Sequence, residues 1–240
     1  MPRILTVDDI ESRVGESVRD PYGRTLGKLV SFESDVDSTV KTIVVENENR
    51  TISFHLAEAV RIDEKGIEVI PEWKLRATKV IEQYKIAMRR LKGLEELHSR
   101  GEIPSVVYRE IRKKLDNAVS KLKQEAKKVK EMMKKRMNEI EDDNLKLDRA
   151  IAELKVSYIA GEISETAYKT AIEQLRQAKD SNAKELEDLK KTLKQVESIE
   201  SGSYEVAVPK TVREKVSPEK QSVPTSTSQQ PQPITVHIVG

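Results

Sequence analysis

The sequence predicts an α+β multidomain chain. It would comprise a small N-terminal β-barrel, long antiparallel α-helical hairpins forming a coiled coil, and a disordered C-terminal tail ending in a β-strand motif. Three observations predict this. Residues 105–158 hold neither proline nor glycine and carry apolar side chains in four-three steps. A Gly-Glu-Ile motif occurs twice, about sixty residues apart. The first 71 residues fall into short β-forming runs between turn signatures, whereas the end of the chain is rich in Ser, Thr, Gln and Pro.

The stretch from Ser105 to about Tyr158 reads as one helix of about 54 residues, about 80 Å long at 1.5 Å per residue. Its expected seam is Ile111, Leu115, Ala118, Leu122 and Val129, then Ile140, Leu147, Ile151 and Leu154, with polar slots at Glu125 and Asn144. The step from Val129 to Ile140 reads as a stutter. The repeat places Gly101-Glu102-Ile103 with Tyr108 at one end, and Gly161-Glu162-Ile163 with Tyr168 at the other. Each glycine suits a helix C-terminus, and Pro104 and Ser164 suit the next helix start. The chain therefore turns back twice, with helices expected at 72–99, 104–158 and 164–199. Antiparallel pairing brings Val80 near Leu122 and Ile140 near Asn182. Trp73 and Val196 then both arrive near Val129, so two end-to-end hairpins share one spine. His98 is expected to pack on the seam, and Asn182 and Lys179 to be polar seam positions.

Aromatic residues make up 4% of the chain and charged residues 35%, which points to elongated helical structure over one large core. The absence of cysteine excludes a disulfide framework and a thiolate metal site. With no long apolar run, the chain reads as cytoplasmic and non-spanning. The net charge of +2 hides a pattern: residues 73–136 carry 20 basic against 8 acidic groups, between two acidic segments. Candidate DNA- or anion-binding residues are Lys113, Lys114, Lys127, Lys128, Lys130, Lys134, Lys135 and Arg136. Three readings are open: a solvated coiled-coil face, contact with phosphates or anionic lipid, and contact with the acidic barrel of another copy. Lysine dominates and no aromatic side chain interleaves, which favours sequence-blind backbone contact over base stacking.

Residues 1–71 read as the β domain. Thr6-Val7-Asp8-Asp9 resembles a capped helical turn and Asp20-Pro21-Tyr22-Gly23 a tight turn. Strands are expected at Leu26–Ser34, Val40–Glu46, Thr51–Leu56, Val60–Ile62 and Ile67–Ile70, closing into a small barrel. His55 lies on a strand without a second ligand nearby and reads as structural. Residues 200–233 read as a disordered linker. The final motif Ile234, Thr235, Val236, His237, Ile238, Val239 alternates apolar side chains about a strand that cannot be stable alone. It either completes this chain's own barrel or adds to a partner's sheet edge.

The run Val14-Gly15-Glu16-Ser17-Val18-Arg19-Asp20, then Tyr22-Gly23-Arg24-Thr25-Leu26-Gly27-Lys28-Leu29, resembles the PRC-barrel family, whose members dock onto partners. The order of barrel, Gly-Glu-Ile hairpins, linker and terminal strand resembles the CdvA family of archaeal (crenarchaeal) cell-division proteins. That resemblance implies a non-enzymatic scaffold without cofactor that assembles at the mid-cell division site, forms filaments, associates with DNA and so with the nucleoid, and meets the membrane peripherally or indirectly. It also implies recruitment of the ESCRT-III-like CdvB, whose winged-helix domain would take the segment Ile234 to Val239. A DNA-binding architectural protein with a secondary tail is the alternative, and an RNA-maturation factor by barrel analogy a third.

Overall fold

The structure, a computed structural model, describes residues 4–64 and 66–204, all within one compact unit. A short helical turn, α1 (Val7–Ile10), opens it. The Asp9 carboxylate accepts from the Thr6 N–H at 3.0 Å and from the Thr6 hydroxyl at 2.9 Å, which fixes the entry to the turn. Six strands follow: β1 (Ser17–Arg19), β2 (Thr25–Ser34), β3 (Val40–Glu46), β4 (Ile52–Leu56), β5 (Val60–Asp63) and β6 (Gly66–Val69). Alternation sends Val18, Leu29, Ile43, Val45, Ile67 and Val69 into one core, closed at the end by Leu5 and Ile10.

The sheet order is β4-β3-β2-β1-β6-β5, antiparallel except for the parallel pair β1–β6. The expected closed barrel is corrected here: the sheet is open, with β4 and β5 as its two edges. A single 3-10 turn at Ala57–Ala59 joins those edge strands. Three residues span about 10 Å at most, so the sheet must curl strongly, yet no ladder joins the two edge strands. Gly27 allows the curl. A Cβ there would lie 2.2 Å from the Glu46 carbonyl oxygen, and its φ of +150° is one that side chains rarely adopt.

Three helices complete the described chain: α2 (Glu72–Ser99), α3 (Ser105–Ile159) and α4 (Glu165–Ser201). Each starts after a Pro or Ser, and the Ser164 hydroxyl accepts from the Ala167 N–H at 3.2 Å. Gly101 and Gly161 share the same φ, +73°, at equivalent turns. The repeat extends to side chains, because His98 stacks on Tyr108 at 4.0 Å and Tyr158 on Tyr168 at 4.4 Å. His98 is exposed, so it caps the hairpin tip and is not packed in the seam as expected.

Antiparallel register is set by Arg112–Glu95 at 3.0 Å in the first hairpin, and in the second by Asn182 Nδ2 to Asn144 Oδ1 at 2.8 Å and Lys179–Asp148. Midway along α3 both partners are present. Trp73, Val80 and Tyr84 of α2 share one core with Ala126, Val129, Met133 and Ile140 of α3 and with Leu189, Val196 and Ile199 of α4. The hairpins therefore overlap at the waist as three packed helices and do not merely meet end to end. The extra neighbour also removes the expected stutter. Ala126 and Met133 are buried and Glu125 is exposed, so the stripe runs 122, 126, 129, 133, 137, 140 without a break. The last helix continues two residues past Ile199 to a left-handed Gly202, and Tyr204 sits edge-on to Tyr84 with ring centroids 6.0 Å apart. Residues 200–204, expected in the linker, are thus ordered. Residues 205–233 of that linker and the motif Ile234–Val239 lie outside the described residues.

Candidate functional site

Among the described residues, a built polar site lies where the β1–β2 turn meets all three long helices. Asp20 shapes the turn: its Oδ1 accepts from the N–H groups of Tyr22 at 2.9 Å and Arg24 at 2.8 Å. This aims Tyr22 and Arg24 at α4. The Arg24 guanidinium donates to Glu185 at 2.5 Å, to Asn182 at 2.8 Å and back to Asp20 at 2.9 Å. From α3, Arg136 donates to both Glu185 oxygens, at 2.9 and 3.0 Å. From α2, the Trp73 indole N–H donates to Glu185 Oε1 at 3.2 Å. Beside it, Asp188 takes the Tyr22 hydroxyl at 2.8 Å and the Lys74 ammonium at 2.7 Å.

Glu185 is 1% exposed and each of its oxygens accepts two donors. Burial pushes its carboxyl up, but the hydrogen bonds and charges of Arg136 and Arg24 outweigh that and hold it below its ordinary value of 4.5. Burial, then the bond to Asp188, pushes the Tyr22 phenol well above its usual range. A carboxylate with every lone pair engaged has none free to take a proton from a substrate. Its chemistry is positional: it fixes the angle between sheet and helices.

None of these junction residues was expected from the sequence to serve this role. Asp20 to Gly23 read as a turn, and Arg136 as a free basic residue. The available signal was Glu185 itself, an acid between Asn182 and Leu189 on the apolar stripe of α4, with Arg136 opposite in the hairpin register.

The structure divides the basic candidates. Arg136 is committed to Glu185, and Lys130 to Glu200. The Lys130 bond and the nearby charges of Lys127 and Lys134 hold the Glu200 carboxyl low. Lys128 pairs with Glu125 at 2.8 Å and Lys135 with Glu139 at 3.9 Å, both on the surface. Lys113, Lys114, Lys127 and Lys134 are exposed. Their spacing makes two neighbouring stripes along α3. Lys114, Lys121, Lys128 and Lys135 recur every seventh residue, and Lys113, Lys127 and Lys134 keep the same period with Ser120 in the missing slot. Seven residues rise about 10.5 Å, so each stripe spans about 32 Å.

His55 lines a groove of about 580 Å³ between the sheet and the waist, with Trp73, Arg136, Glu139 and Glu185 on its far side. Burial lowers its pKa, and its Nε2 lies 3.0 Å from the Ser53 hydroxyl. Among the described residues no His, Asp and Glu side chains gather as a metal-binding group, and no helix is long and apolar enough to cross a membrane.

Comparison with known proteins accords with this architecture. The CdvA-like coiled-coil domain family matches residues 72–220, which include all three long helices. The "Cell division protein A" of Sulfolobus acidocaldarius is 35% identical over 202 residues, covering 84% of each chain. A match of that length through the hairpin repeat means that this chain belongs to the CdvA-like coiled-coil family.

Proposed function

We propose that this chain is a non-enzymatic cell-division scaffold, cytoplasmic and assembled at the mid-cell division site, which self-associates, contacts DNA and recruits an ESCRT-III-like partner. The observation that carries this reading is the likeness to a cell division protein over 84% of the chain, joined to a polar junction whose groups are all committed to holding parts at a fixed angle. Such a molecule sets positions. The sheet, PRC-barrel-like in its strand order of turns and glycines, serves as a docking module. The segment Ile234 to Val239 adds as a strand to the winged-helix domain of CdvB, with Ile234, Val236 and Ile238 filling pockets on one side. Membrane contact is peripheral, through that partner.

The test is electron microscopy of the purified full-length chain with and without DNA, followed by addition of the partner. Filaments that bind the partner are expected. Deleting residues 234–240 should abolish recruitment and leave assembly intact, and unchanged recruitment would refute the assignment.

A second reading, a DNA-binding architectural protein with a secondary tail, is favoured by one observation, the paired lysine stripes of α3. Reversing the charge of Lys113, Lys114, Lys127 and Lys134 separates the two. Loss of DNA binding alone leaves recruitment primary, and loss of every activity favours the second reading.

A further inference from the structure

The two edges of the open sheet differ in chemistry. The edge strand β5 reads Val60-Arg61-Ile62-Asp63, and its charges discourage pairing with another chain. The other edge, β4, reads Ile52-Ser53-Phe54-His55-Leu56 and has no lysine, proline or bulge. Its hydrogen-bonding directions follow from the hairpin that precedes it. The Asn47 N–H donates to the Thr51 carbonyl at 3.0 Å, so Val45/Ser53 and Ile43/His55 are the pairs that exchange bonds with β3. The N–H and C=O groups of Ile52, Phe54 and Leu56 therefore point the other way, along an edge that no other described strand covers. The side chains of these same three residues stand on the outer face of the sheet and are 55%, 66% and 59% exposed.

We propose that β4 is a self-association surface that pairs antiparallel with β4 of a second copy, about a two-fold axis passing through Phe54. This register is self-complementary. Phe54 faces Phe54 of the other copy, and Ile52 faces Leu56 twice, so all three outward residues find partners and about six backbone bonds form. The three apolar pairs lie together on one face. Any one-residue slip would set apolar residues against Ser53 and His55. A strand pair of this length buries less than the roughly 1,200 Å² of a standard interface, so the contact is weak and reversible. It is also isologous and closes as a dimer.

The inference deepens the self-association part of the function proposed above, and the test keeps them apart. The chain has no cysteine. A hydrogen-bonded antiparallel pair sets its Cα atoms about 5.5 Å apart, inside the range a disulfide needs. Full-length Phe54→Cys should therefore form disulfide dimers under mild oxidation at least roughly tenfold faster than Val36→Cys, a still more accessible control on the β2–β3 turn, because pairing raises the effective concentration. With Phe54 kept, a mixture of Ile52→Cys and Leu56→Cys chains should link to each other in preference to themselves.

Phe54→Cys that links no faster than Val36→Cys overturns the proposal, as does a mixture without preference. A Phe54→Cys/Val236→Cys chain that closes within one molecule also overturns it, since the edge would then belong to the chain's own terminal segment. Wild-type filaments without the cross-link remove the β4 surface alone. Cross-linked dimers that never extend remove the filament reading alone.

Discussion

The indole N–H of Trp73 donates to Glu185 at 3.2 Å, joining the second residue of α2 to the middle of α4 across a separation of 112 residues. Arg24 and Arg136 meet the same carboxylate from the sheet and from α3, so one side chain contacts every element that converges on the waist. The consequence is mechanical. The direction in which the sheet faces is set by the buried Glu185 anion and its donors together with the Tyr22–Asp188 bond, while the apolar core beneath supplies most of the burial.

Replacing Glu185 with alanine should destabilise the chain by about 2–4 kcal/mol. The lower end reflects that Arg24 and Arg136, each about a third exposed or less, can recover some hydration once the anion is gone. The chain has one tryptophan, and it is buried at this junction. Urea unfolding followed by Trp73 fluorescence reads the loss directly.

The same junction should respond to pH on both sides. The folded Glu185 carboxyl lies below its ordinary 4.5, so its contribution is complete above that value and falls away as pH drops through the folded value. Tyr22 has the opposite sign. Its phenol is raised above the ordinary 10, so its contribution is complete below pH 10 and is lost as the solution becomes more alkaline. The Trp73 signal should thus hold from about pH 5 to 9 and shift outside it, with the acid limb flattened in Glu185→Gln.

Gly101 and Gly161 carry the same +73° backbone in open space, so alanine should cost about 1 kcal/mol at either site and act additively. Gly27→Ala should be far worse, about 3 kcal/mol or more, because the backbone carbonyl of Glu46 occupies the place of the new methyl. Thermal unfolding of the three variants checks the order.

Periodicity carried the helices into view because the Gly-Glu-Ile repeat and an unbroken apolar stripe depend only on neighbours along the chain. Each observed helix bound lies within about two residues of the expected one. What periodicity could not convey was the third neighbour. A two-helix seam needs only one stripe, so Ala126 and Met133, which belong to the core shared with α2 and α4, fall outside the expected seam, and the spacing from Val129 to Ile140 looked like a stutter. Barrel closure failed to read for a related reason. Five short β runs are compatible with a closed or an open sheet, and only the three-dimensional path of Ala57–Ala59 decides between them. The polar junction was hidden because the groups that meet the acids of α4 lie more than 100 residues from them, save for Arg136 within one hairpin.

That division between committed and free cations makes the last prediction quantitative. Lys113, Lys114, Lys127 and Lys134 are exposed on α3, whereas Lys130 and Arg136 hold Glu200 and Glu185. If the stripes contact a nucleic-acid backbone, the affinity should fall steeply with salt. Changing the four exposed lysines to glutamine should lower the slope of log K against log salt by about three to four on duplex DNA, without sequence preference, since each phosphate contact contributes about 0.9. Fluorescence anisotropy with two unrelated duplexes measures this. Arg136→Gln should instead leave the slope nearly unchanged and lower the urea midpoint, because its charge is already matched by the Glu185 anion. The reverse pattern, a steep loss of slope from Arg136 and none from the four lysines, would place the contact surface on the other side of the waist.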